Sequence, residues 1–294
     1  MTLAIRTHPN TNTTTKMPFQ QQKIAAASQF LLASPPGELN DVFNDIASLV
    51  NDDTAVLNAL EPAFEKYNLE QYVTVKLPLP GGEGEGLSLV SEWNRVAGEE
   101  GRFVDPRVGK TFVFDHVKGK ASDVQPYDED LGREWEELNT GIEAYVNEHF
   151  PSEGASGVFK GQAGGSTWNV VIVGNKYNPS NYWNGRWRSS YTFDSTSGTL
   201  TGTIRVTVHY YEDGNVSLST THSISSTPSS PSTLAKTIAA EEKRYQEELN
   251  KAFGGLSEGP FKGLRRQLPV TRQRVDWEKA GVYRIGQDVG NARR

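Results

Sequence analysis

The most restrictive stretch of this chain runs from Asn181 to Ser223. It opens with Asn181-Tyr182-Trp183-Asn184-Gly185-Arg186-Trp187-Arg188 and passes Tyr191 and Phe193. It re-forms as Gly202-Thr203-Ile204-Arg205-Val206-Thr207-Val208-His209-Tyr210-Tyr211, ahead of Glu212-Asp213-Gly214-Asn215. From Thr203 the β-forming residues alternate with polar ones at period two, the pattern of a strand with one face in a core and the other wet. Asp213-Gly214 is a hairpin signal, because a tight primed turn needs positive φ, which Gly accepts freely and Asp tolerates. Val216 and Leu218 then begin a returning strand. The stretch demands antiparallel sheet, and no catalytic pattern lies in it.

The same punctuation continues outside it. Val158–Lys160, Thr167–Val173, Arg186–Phe193, Thr203–Tyr211 and Val216–Ile224 are successive strand candidates with no helix between them, which predicts an antiparallel meander. Ahead of the meander the apolar period is helical. Ile24, Ala27, Phe30 and Leu31 mark a helix over Lys23–Leu32, stopped by Pro35-Pro36-Gly37. Asn40 or Asp41 is the expected N-cap of a second helix carrying Val42, Phe43, Ile46, Leu49 and Val50. A third is expected over Thr54–Asn68, with Leu57, Leu60, Phe64 and Tyr67 buried and Pro62 marking a kink or its true start. Together they predict a small bundle.

Tyr72–Val75 reads as a strand, and Pro78–Gly86 as an acidic surface loop, since acidic residues alternate with its glycines where a phosphate cradle would need Lys-Ser or Lys-Thr. Gly109-Lys110-Thr111 lacks the upstream glycine of a nucleotide loop, Val104 standing in its place, so Thr111–Val117 is read as a strand with Phe112 and Phe114 on one face. Asp130–Phe150 is helical, with Trp135, Leu138, Ile142, Tyr145 and Val146 on one side. After a linker, Leu234–Phe253 reads as a long helix whose thin stripe of Ile238, Tyr245, Leu249 and Phe253 suits a sheet face or another chain, and Gly254-Gly255 is its expected end. The predicted class is α+β: a disordered extension 1–22, a helical bundle 23–70, a connecting region of strand, loop and helix 71–150, a five-stranded antiparallel meander 151–224, a linker 225–233, a long helix 234–258 covering the sheet, and a mobile basic arm 259–294.

Composition excludes several chemistries. The chain has no cysteine, so disulfides and thiolate metal sites are out. Met1–Lys23 lacks the apolar core of a signal peptide and no stretch approaches a membrane span, so the expected compartment is the cytoplasm and the sequons at Asn12 and Asn215 are expected to be unused. His8, His116, His149, His209 and His222 are not at metal-ligand spacings, and His116 and His209, on predicted strands, are expected to be packed or on the surface. Gly-x-Ser-x-Gly, His-Glu-x-x-His and dinucleotide fingerprints are missing, leaving no motif behind an enzyme and no cofactor or metal implied. The net charge of −6 is unevenly spread: from Lys262 to Arg294 nine basic and three acidic residues give a local +6, leaving −12 for the rest. Lys262, Arg265, Arg266, Arg272 and Arg274 fall in a run without a carboxylate, which points to an acidic partner, while the acidic body disfavours nucleic acid.

Five runs carry a resemblance. Asn181–Ser189, Val208–Val216, Pro35–Asp45, Phe112–His116 and Leu264–Arg272 resemble the α subunit family of F-actin capping protein, the heterodimer that blocks the fast-growing filament end. They span the chain from about Lys23 onward in the family's order. The resemblance implies an obligate partner, a β subunit of similar fold whose sheet joins this one. It also implies calcium-independent capping of the barbed end, inhibition by phosphoinositides, and a place in the cytoplasmic actin cytoskeleton, cortical patches included. The family's actin-contacting basic residues match Lys262, Arg266 and Arg272, with Arg265 and Arg274 beside them. Trp277 and Ile285 belong to the amphipathic segment that follows, where Ala280 and Gly281 replace the family's usual aliphatic pair and shift binding toward the arginines. Trp183, Trp187, Arg188, Val206, Val208 and Tyr210 are the expected dimer-interface residues. The alternative is a stand-alone phosphoinositide- or nucleic-acid-binding module using the same basic tail.

Overall fold

The computed structural model describes residues 19–258, apart from 80, 82–83, 151–152, 162–165, 213–214 and 228–229. The expected Asp213-Gly214 turn and the whole basic arm therefore lie outside the described residues. Helix α1 (Phe19–Leu32) begins ahead of Lys23, so Phe19–Gln22 are helical and not part of an unfolded extension. Its run of glutamines and alanines contains no breaker and favours the helix throughout. Helix α2 (Leu39–Leu49) starts before the expected cap: Glu38 holds the N-cap position, and neither Asn40 nor Asp41 does. The expected third helix is two. Asp53 caps α3 (Thr54–Asn58) by accepting from the Ala55 and Val56 N–H groups at 3.0 and 3.4 Å. Pro62 then opens α4 (Glu61–Gln71) in its first turn, where a missing N–H costs nothing. Ala27, Leu31, Ile46, Val56, Leu60 and Phe64 close the bundle core.

Strands β1 (Val73–Pro78) and β2 (Glu85–Val90) form an antiparallel hairpin. Strands β3 (Arg102–Asp105), β4 (Lys110–Asp115) and β5 (Lys120–Pro126) form a second small sheet. The sequence did not announce β2, β3 or β5. Phe103, Phe112 and Phe114 fill the core between these sheets, as the alternation in β4 requires. His116 sits in the turn after β4 and not on the strand; it is packed there against Phe114 at 5.0 Å, and Asn68 donates to its carbonyl at 2.9 Å.

Helix α5 (Gly132–His149) leads into the central sheet of β6 (Gly154–Lys160), β7 (Thr167–Asn178), β8 (Trp183–Asp194), β9 (Thr199–Tyr210) and β10 (Val216–Ser226). Each strand pairs antiparallel with its sequence neighbour, in the order β10-β9-β8-β7-β6. Helix α6 runs over Pro231–Glu258, so the linker is shorter than expected at both ends: Ser225 and Ser226 belong to β10, and Pro231–Thr233 to the helix. It also continues through Gly254 and Gly255, the expected stop, to Glu258.

Helices α5 and α6 cover one face of this sheet. Leu138, Ile142 and Val146 of α5 and Leu234, Ile238 and Tyr245 of α6 pack on Trp168, Val170, Ile172, Tyr191, Phe193 and Ile204. Each such aliphatic side chain contributes roughly 1.5–3 kcal/mol on burial. One carboxylate enters this layer. Glu242 of α6, 3% exposed, accepts from the hydroxyls of Ser189 at 2.6 Å, Tyr191 at 2.5 Å and Tyr145 at 2.6 Å, so its hydrogen-bond partners are three hydroxyls. Burial, and then the Glu242 charge, pushes both phenols well above the usual tyrosine range. On the opposite face Val171 and Val173 pack on Leu89 of β2, while β9 and β10 present polar side chains.

Candidate partner-binding edge

The basic residues predicted to contact a filament, Lys262, Arg265, Arg266, Arg272 and Arg274, lie outside the described residues, as do Trp277 and Ile285. The site that can be built is the sheet edge formed by β10. Side-chain parity and backbone direction alternate together along a strand. The Tyr211 N–H donates to the Tyr182 carbonyl at 2.8 Å, so odd-numbered residues of β9 point their backbone groups at β8. Even-numbered β9 residues therefore bond β10, whose partners in register are Val216, Leu218, Thr220, His222 and Ile224. The backbone groups of Ser217, Ser219, Thr221, Ser223 and Ser225 consequently face outward, along an edge that no other strand occupies among the described residues.

Natural edge strands are usually blunted with lysine, proline or a bulge. In its eleven residues β10 has no Lys, Arg, Asp, Glu or Pro, and its register with β9 is unbroken. The edge therefore lacks these usual safeguards against pairing with another strand. Apolar surface adjoins it on both sides. On the helix-covered face, at the end of the sheet where β9 meets β10, Tyr210 is 39% and Val216 58% exposed. On the other side a cavity of about 380 Å³ between α1, α2 and the start of β10 is lined by Phe30, Val42, Ile46, Leu49 and Ser217. Phe30 and Leu49 are 59% and 74% exposed.

The predicted interface residues divide between faces. Trp183, Trp187, Val206, Val208 and Tyr210 share the helix-covered face, by the pairings Trp183↔Tyr210 and Trp187↔Val206 and the period-two placement of Val208. Trp187 lies 5.9 Å from the Tyr245 ring, and Lys176 stands 5.7 Å over the Trp183 ring. Arg188 points the other way. It is buried, its guanidinium donating to the Glu70 carbonyl.

Glu38 fixes the corner where bundle and edge meet. Its Oε1 lies 2.7 Å from His209 Nδ1 and accepts from Asn184 Nδ2 at 2.8 Å, while His209 Nε2 lies 3.0 Å from Asn215 Oδ1. That engagement explains why Glu38, although at the N-cap of α2, makes no side-chain capping bond. Gly37 precedes it at φ +81, and an added Cβ would stand 3.2 Å from the Tyr177 ring. The sequence marked Pro35–Asp45, Asn181–Ser189 and Val208–Val216 separately; the carboxylate at Glu38 is what joins them, and only its polar character was readable beforehand. No group of three or more His, Cys, Asp or Glu among the described residues is placed to hold a metal. No described helix is long and apolar enough to cross a membrane.

The profile of the family described as F-actin capping protein alpha subunit matches residues 27–288. The chain belongs to that family. Similar proteins include the F-actin-capping protein subunit alpha of Gibberella zeae, 48% identical over 274 residues covering 91% of this chain and 97% of the relative. The protein of the same name from Neurospora crassa is 48% identical over 268 residues, covering 90% and 95%. That of Caenorhabditis elegans is 35% identical over 286 residues, covering 91% and 97%. A solved homodimeric actin capping protein alpha subunit from Plasmodium berghei superposes with a TM-score of 0.66 at 20% identity over 85% of this chain and 98% of that one, a likeness of fold. The capping protein α fold is thus the α+β arrangement expected: bundle, antiparallel sheet of five strands, and long helix across it. The match extends past Glu258 into the basic arm.

Proposed function

We propose that this chain is the α subunit of a heterodimeric actin capping protein that binds the barbed end of the filament, without calcium, and blocks addition and loss of subunits there. The family is structural and not enzymatic. What carries the reading is the family match through residues 27–288, which takes in the basic run Lys262–Arg274. The outward backbone of β10 supports a two-chain assembly: a β subunit of similar fold adds its sheet at this edge, and the patch of Phe30 and Leu49 packs on its helices. Lys262, Arg265, Arg266, Arg272 and Arg274 meet acidic surfaces on the terminal actin subunits, with Trp277 and Ile285 adding apolar contact. A second attachment from the β subunit slows release by bivalency. Anionic phosphoinositides compete for the same arginines, and the complex works in the cytoplasmic actin cytoskeleton, cortical patches among its sites.

The test is a seeded elongation assay with the purified two-chain complex. Replacing Lys262, Arg266 and Arg272 by Glu is expected to abolish end-capping while the subunits still co-purify. Capping that survives the substitutions removes the arm from the mechanism.

A further inference from the structure

We propose that the polar face of the central sheet, beside Trp93, binds an extended acidic peptide segment of another protein. The proposed site uses no residue of the arm, and the inference goes beyond the capping function. Arg205 of β9 is exposed on that face and stands opposite Arg188 of β8 in register. No ion pair among the described residues engages Arg205, Arg188 or Arg186. Arg188 Nε is buried without a hydrogen-bond partner. Arg186 bonds Asn175, Gln71 and Tyr177, all uncharged acceptors. No ion pair among the described residues thus neutralises any of the three guanidiniums, of which Arg205 is the exposed one and Arg186 and Arg188 are buried. The mutual cost is visible at Arg188, where burial first, and then Arg186 and Arg205, lower the guanidinium pKa to about 10.

A groove runs past Arg205. A cavity of about 410 Å³ has Arg205, Tyr72, Leu69 and Trp93 in its wall, and a second of about 380 Å³ continues from Trp93 over Thr192, Thr201, Thr203 and Ser223. Trp93, common to both, is 39% exposed. Of the carboxylates at the first cavity, Glu65 and Glu92 share Arg95 and Glu70 stands 3.9 Å from Lys66, while no charged residue lines the second. An extended peptide fits this arrangement. Its carboxylate meets Arg205, an apolar or aromatic side chain lies on Trp93, and its backbone runs over hydroxyls that both donate and accept. The chain's own ends do not complement the site: residues 1–18 contain Arg6 and Lys16 and no carboxylate, and Lys262–Arg294 is net positive.

The experiment uses the full-length two-chain complex and a fluorescent, photo-crosslinkable oligoglutamate peptide ending in tryptophan. Cross-links are expected near Trp93 and along Thr201–Arg205, with affinity falling about tenfold in Arg205→Glu and largely kept in Arg205→Lys. Arg205 is exposed, so an unchanged unfolding midpoint checks that the variant is folded. Absence of binding, equal affinity in Arg205→Glu, or cross-links confined to the basic arm overturns the proposal. Equal competition by inorganic phosphate or by phosphoinositide vesicles assigns a phosphate site instead and overturns the peptide. Arg205→Glu is expected to leave filament-end capping unchanged, so failure here and failure of the capping reading are separately visible.

Discussion

Glu38 illustrates how much a single carboxylate can organise. One of its oxygens lies 2.7 Å from a His209 ring nitrogen and 2.8 Å from the Asn184 amide, tying the start of α2 to β8 and β9. Removing it strands two buried polar partners, and each unsatisfied group costs about 1–3 kcal/mol. Glu38→Ala is therefore expected to lower unfolding stability by about 2–4 kcal/mol in a denaturant titration, and Glu38→Gln, which keeps an acceptor, by less than half of that. His116 makes a prediction about pH. Burial, reinforced by Arg95 and opposed by Glu65, holds its pKa below the ordinary histidine value. The unfolded chain thus takes up a proton that the folded chain resists, so this contribution is full above about pH 6.5 and is lost as pH falls below it. The midpoint is expected to drop on acidification toward about pH 5.5, and His116→Gln to flatten that drop. Arg188 shows what a residue-scale reading of the sequence left unused. Period two alone puts it on the face opposite Trp183 and Trp187, but its neighbours in the aromatic run drew it into the same expected interface.

At the scale of elements, legibility followed contrast. Strands β7 to β10 were readable because one face must be apolar for α5 and α6 to cover it, though each proved longer than its most apolar stretch suggested. Strand β5 is exposed along nearly its whole length, and β3 spans only Arg102–Asp105, so neither carries a period to detect. In the bundle, Pro62 left two readings open and Asp53 was the missing clue: a cap that close to the proline leaves room for one short helix before α4. The continuation of α6 through Gly254 and Gly255 has no cause in the described contacts. The seat of α6 depends instead on Glu242, where one carboxylate satisfies three hydroxyls. Glu242→Leu is expected to cost about 3–5 kcal/mol by leaving those hydroxyls without an acceptor, and Glu242→Gln clearly less, as read by chemical denaturation of the complex.

For the whole molecule, the alternation along β10 separates folding from assembly. The N–H of Thr221 faces the open edge, whereas that of Thr220 belongs to the ladder with β9. Proline is tolerated in a strand only where its missing donor faces outward. Thr221→Pro is thus expected to leave this chain folded but to stop a co-expressed β subunit from co-purifying, while Thr220→Pro is expected to lose the soluble chain altogether. Co-purification that survives Thr221→Pro would exclude this edge as the junction. The side chains of Ser217, Ser219, Thr221, Ser223 and Ser225 stand off the junction plane, on the polar face. Main-chain amides recognise any extended strand alike, so a junction at this edge would not by itself discriminate between companions. Selectivity must be written in the flanking side chains such as Phe30, Leu49 and Val216, and a cell making this subunit in excess would hold chains whose adhesive border is open to one another.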